Sequence, residues 1–83
     1  MSPRPRRLYA PAPVEVRAGA DGVPVAVAGV AVEALREHWL VDDRWWVPKR
    51  WLHREYFELA LDDGRAAVVF RSLRSERWYR QRA

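Results

Sequence analysis

The chain has no cysteine, two histidines, one methionine and four glycines among its 83 residues, and each shortage removes a class of function. Without cysteine there is neither a disulfide framework nor a thiolate metal site. His38 and His53 are not at a metal-ligand spacing. His38 with Glu37, Asp42 and Asp43 could gather a divalent ion, but Asp42-Asp43 reads better as a solvated acidic turn. The only serines, Ser2, Ser72 and Ser75, lack the context of a nucleophile elbow, and no glycine-rich phosphate loop occurs. The constellation that an active site needs is missing. The expectation is a protein that is not an enzyme, with no cofactor, no metal and no small-molecule substrate. No apolar run approaches the length of a membrane span, and no apolar stretch follows Arg6-Arg7 as an export signal would require. A cytoplasmic protein without a membrane partner is the default expectation.

What is present is apolar and basic. Hydrophobic residues make up 49% of the chain and aromatics 12%, which excludes disorder throughout. The length allows one domain, near the lower limit for a self-sufficient core. The net charge is +4, and it is segregated: residues 1–13 carry +3, residues 14–48 carry −3, residues 49–70 balance, and residues 71–83 carry +4. All the bases except Lys49 are arginine, which pairs with phosphate bidentately and stacks on aromatic faces. A GC-rich genome explains much of the lysine shortage but not the segregation.

Pro3, Pro5, Pro11 and Pro13, with three arginines between them, make residues 1–13 a disordered basic tail. From Val14 the pattern has period two, and residues 14–83 read as one β domain. Val14 and Val16 alternate with Glu15 and Arg17, and Ala18 to Gly22 form a turn. The valines at 23, 25 and 27 alternate, then slip phase to Val30 and Val32. A two-residue loop at Ala28-Gly29 accounts for the slip and pairs Val27 with Val30. Pro24 marks a strand edge or start. Residues 33–38 fit either a bent strand with a bulge before Trp39 or one helical turn, and the β-patterned flanks favour the bent strand. Residues 54–61 and 65–72 flank Asp63-Gly64, a favoured type I′ pair. That turn sets Phe57 against Phe70, Leu59 against Val68, Leu61 against Ala66 and Tyr56 against Arg71, the last a cation–π contact. A last short strand covers residues 77–81. The expected fold is all-β, a small antiparallel meander curled into an SH3- or OB-like barrel.

The stretch from His38 to Trp51 holds four of the five tryptophans, more indole than so small a core can use. Trp45, Trp46 and Trp51 interleave with Arg44, Lys49, Arg50 and Arg54, with Tyr56 close by. Arg71, Arg74, Arg77 and Arg80 would extend the same basic surface if the last strand lies alongside. Flat rings among cations suit nucleic acid, single-stranded or duplex, because bases stack on the rings while cations follow the phosphates. The bland reading makes the tryptophans core or barrel-closing residues; it is the better one for Trp39 and Trp78. Of Trp45 and Trp46, adjacent on a strand, one points inward and the other outward. Tryptophan, tyrosine and arginine are equally the residues of protein interfaces, and an edge strand could accept a partner strand.

The run VAVAGVAVEALREHWLVDDRWW, followed by REYFELAL, GRAAVVFR and ERWYRQ, resembles a small bacterial domain family of unknown function encoded beside ImuB-type Y-family polymerases in high-GC bacteria. The matching positions are Gly29, Val32, Leu35, Trp39, Trp45, Trp46, Tyr56, Phe57, Arg71 and Trp78, within roughly residues 20–82. The family's first aromatic strand is replaced here by Val25-Ala26-Val27. The resemblance implies an accessory role in translesion synthesis and DNA repair, with a DNA polymerase complex component as a partner. Nucleic-acid binding and protein docking both remain open readings of the residues.

Overall fold

Asp21-Gly22 and Asp63-Gly64 build the same loop twice. In the computed structural model, which describes residues 11–43 and 52–81, Gly22 and Gly64 have φ of +84° and +89°, where glycine escapes the Cβ clash of other residues. The Gly22 N–H donates to the Gly19 carbonyl at 2.9 Å and the Gly64 N–H to the Leu61 carbonyl at 3.0 Å. Gly19 and Leu61 in turn donate to the carbonyls of Val23 and Arg65 at 2.9 and 2.8 Å. Each aspartate Oδ1 accepts the backbone N–H two residues on, from Val23 and Arg65, at 3.0 Å. These are three-residue hairpin loops closed by a left-handed glycine. Between them, Ala28 and Gly29 both have positive φ (+49° and +83°), the two-residue type I′ turn expected, and Val27 faces Val30.

The strands are β1 (Ala12–Pro13), β2 (Val16–Ala18), β3 (Pro24–Val27), β4 (Val30–Asp43), β5 (Leu52–Leu61), β6 (Ala66–Ser72) and β7 (Trp78–Gln81), all antiparallel in the order β1-β7-β6-β5-β4-β3-β2. β1 and β2 lie at opposite ends of that order, yet only Val14 and Glu15 separate them. Val14 N–H donates to the Trp78 carbonyl, and the Glu15 carbonyl accepts from Ala28 N–H. The short segment 12–18 thus joins the two ends of the sheet and curls it into a small β-barrel, the fold class the sequence implied. Its strand begins at Ala12, inside the stretch expected to be tail.

β4 is the bent strand, not a helical turn. Its pairing with β5 shifts between Val32 and Ala34 and again between Leu35 and Glu37, so Glu33 and Arg36 are the extra residues of two bulges. The core gathers on the concave side: Val27, Phe57, Leu59, Leu61, Ala67 and Val69 are buried, with Val14, Val16, Val23, Val30, Val32 and Trp78 packed around them.

The β5–β6 register differs from the expected one by a residue. Tyr56 faces Phe70, Phe57 faces Val69, Glu58 faces Val68 and Leu59 faces Ala67, in place of the Tyr56–Arg71, Phe57–Phe70 and Leu59–Val68 pairs. The loop contains three residues rather than two, and a shift of one sends every β6 side chain to the other side of the sheet. Both sides of β6 are apolar, so burial discriminates weakly between the registers and the turn decides.

No atom lies within 4 Å of a Cβ built on Gly64, so Gly64→Ala tests backbone conformation alone. It is expected to lower unfolding stability by about 1–2 kcal/mol, the cost of left-handed backbone for an L-residue, as read by urea denaturation. Asp63→Ala, which removes only the side-chain acceptor, should cost about 1 kcal/mol.

Candidate binding face

Strand pairing sets four aromatic residues in one row across four neighbouring strands. Trp39 of β4 faces Tyr56 of β5, which faces Phe70 of β6, which faces Tyr79 of β7. Directly paired residues share a side of the sheet, and this side is opposite the core residues Phe57 and Val69. The rings form a column. Trp39 and Tyr56 are parallel within 6° with centroids 5.3 Å apart, Tyr56 and Phe70 are tilted at 4.9 Å, and Phe70 and Tyr79 stack at 5.3 Å. Phe70, in the middle, is only 2% exposed, whereas Trp39, at the end, is 38% exposed. Offset and parallel ring pairs contribute about 0.5–1.5 kcal/mol each beyond area burial.

Alternation along β5 puts Arg54 on one flank of the column and Glu58 on the other. The Arg54 guanidinium lies 4.4 Å from the Phe70 centroid, and Arg54 Nη1 donates to the Tyr56 hydroxyl at 3.1 Å. Two restraints hold this cation against the rings. Glu37 faces Glu58 on the far flank, so the face is cationic on one side of the column and anionic on the other.

The core side carries a different chemistry. Glu55 receives the Arg71 guanidinium on Oε1 at 2.9 Å and His38 Nε2 on Oε2 at 2.7 Å. His38 also stacks on Phe57 at 4.7 Å, and Arg71 sits 5.8 Å from the Trp78 ring. Among the described residues, no group of three His, Asp or Glu side chains could hold a metal ion. His38 pairs with Glu55, and Asp42 and Asp43 belong to β4 rather than to a turn.

The structure therefore divides the expected site. Arg44, Trp45, Trp46, Lys49, Arg50 and Trp51 lie outside the described residues. Arg54 and Tyr56 are brought together on the aromatic face. Arg71 is on the other side of the sheet, bound to Glu55 rather than stacked on Tyr56. Arg80 pairs with Val69 on that same side, and Arg74 and Arg77 are exposed around the turn before β7. Trp78 packs on the core as expected. Trp39 does not: it stands on the outer side as the exposed end of the column. Phe70 and Tyr79 join the face without having been anticipated, and a three-residue reading of the Asp62-Asp63-Gly64 loop would have found them.

Compared with known proteins, the chain matches no family model, no curated protein and no solved structure.

Glu55 holds both the Arg71 guanidinium and the His38 ring, so Glu55→Gln is expected to destabilise the fold by about 1 kcal/mol. Chemical denaturation measures it. The neighbouring Glu58→Gln, without those partners, should change stability by less than half as much.

Proposed function

We propose that this chain is a non-enzymatic accessory module that binds single-stranded nucleic acid through the aromatic column and Arg54. Its process, on the family resemblance carried by Gly29, Trp39, Tyr56, Phe57, Arg71 and Trp78, is error-prone translesion DNA synthesis. The observation that carries the binding reading is the column itself. Four rings are aligned on one side of the sheet, a guanidinium is fixed against them, and the terminal indole is exposed. An unpaired base can extend the column by stacking on the outer surface of Trp39. The phosphate that follows it is drawn to the Arg54 flank and repelled by Glu37 and Glu58. A base within a duplex has its faces occupied by its neighbours, which favours the single strand over the double helix as ligand.

A second reading has a specific observation behind it. Leu35 and Leu40, 43% and 60% exposed on β4, suit a protein contact, and docking on a component of a DNA polymerase complex would use them without touching DNA.

Titrating the protein with oligothymidylate while following tryptophan fluorescence separates the two. The nucleic-acid reading predicts quenching at low salt and an affinity that falls steeply as salt rises, because counterions are released. Trp39→Ala should weaken binding about 5- to 100-fold, the equivalent of one lost stacked base. Arg54→Ala should weaken it and reduce the salt slope by about one. Absence of quenching at low salt contradicts this reading and leaves protein docking.

A further inference from the structure

Among the described residues, the last seven residues of β4 have a strand on one edge only. β3 pairs with β4 only at Val30 and Ala31, while β5 takes the opposite edge from Val32 to Asp43. Among the described residues, no strand lies beside the β3-side edge beyond that point. The bulges at Glu33 and Arg36 interrupt its first part, as bulges commonly protect an edge from further pairing. From Glu37 to Asp43 the ladder is regular, and nothing of that kind protects it. Leu40 is 60% and Trp39 38% exposed on this stretch, so the edge is an extended, hydrogen-bonding template whose centre, Trp39 to Val41, is apolar.

We infer that this edge pairs with the same edge of a second copy of the chain, antiparallel and centred on Leu40. A two-fold axis perpendicular to the sheet makes opposed residues share a side, so only registers that oppose residues of like parity are allowed. Centring on Leu40 opposes Leu40 to Leu40, Trp39 to Val41 and His38 to Asp42. Apolar residues meet apolar ones at the centre of this register. Centring one residue earlier opposes His38 to Leu40 and Glu37 to Val41; centring one later opposes Leu40 to Asp42. Both alternatives set a polar group against an apolar one at every flanking position. The single like-charged match in the favoured register, Glu37 with Asp43, falls at its outer ends and limits the strength of the association. The result is a reversible dimer formed by β-strand addition, in which two barrels share one continuous sheet.

In this dimer Val41 of the second copy covers the surface of Trp39 on which a base would stack, so the two uses exclude one another. The dimer itself does not depend on nucleic-acid binding, and its test contains no nucleic acid. Mass is measured by sedimentation equilibrium as the protein concentration rises to about 1 mM, enough to reveal even millimolar self-affinity. The full chain is expected to climb toward twice its monomer mass. Leu40→Lys and Leu40→Glu should each remain monomeric, since each opposes like charges across the axis. An equimolar mixture of the two should associate again, because residue 40 then meets its opposite charge. Circular dichroism of each variant should match the parent, as this side chain is largely in solvent. A parent chain that stays monomeric at every concentration overturns the inference and leaves the edge to a strand from another protein. A dimer that both variants retain, or a mixture that fails to associate, overturns it as well.

Discussion

The three-residue length of the Asp62–Gly64 loop decides which side of the sheet the side chains of β6 occupy. β6 is apolar on both sides, with Ala67 and Val69 on one and Val68 and Phe70 on the other, so the hydrophobic effect alone separates its two registers poorly. The hydrogen bonds of the Leu61–Arg65 loop break that near-degeneracy. Gly64 N–H reaches back to Leu61, Arg65 N–H is held by Asp63, and the loop takes three residues instead of two. Phe57 then covers Val69, and Tyr56 meets Phe70.

From that choice follow the two chemistries of the sheet. The core side closes over Phe57, Leu59 and Val69 and ends at Glu55, whose carboxylate takes the Arg71 guanidinium on one oxygen and the His38 ring nitrogen on the other. The outer side collects Trp39, Tyr56, Phe70 and Tyr79, with Arg54 pressed on the column. An aromatic column on the outside of a small barrel does not add to the interior core. It stiffens the β4–β5–β6–β7 sheet and leaves one indole facing solvent at the β4 edge. The proposed stacking on Trp39 and the proposed pairing along β4 both use that edge, beside which no other strand lies among the described residues.

Much of this was legible in the sequence, and the part that was not has a physical cause. The Ala28-Gly29 turn, the alternation that buries Phe57, Leu59 and Leu61, and the all-β class could be read directly from period and turn chemistry. Trp39 was expected in the core and stands on the outer side, because the bulges at Glu33 and Arg36 reset the phase of β4 twice. Val32, Leu35 and Trp39 are spaced as on one side of a helix, but in the bulged strand Val32 and Leu35 share a side with His38 and not with Trp39. Phe70 and Tyr79 were missed because Asp-Gly serves two loop lengths. The basic surface expected along Arg71 and Arg80 fails for the same one-residue reason, whereas Arg54, on the strand before the loop, is unaffected by it.

Nuclear Overhauser contacts among the aromatic rings in solution test the central claim most directly. The register described here requires contacts from the Trp39 indole to the Tyr56 ring, from Tyr56 to Phe70, and from Phe70 to Tyr79. Direct contacts between the rings of Phe57 and Phe70, with none between Tyr56 and Phe70, would put the hairpin in its two-residue register, dissolve the column and contradict the binding face built on it.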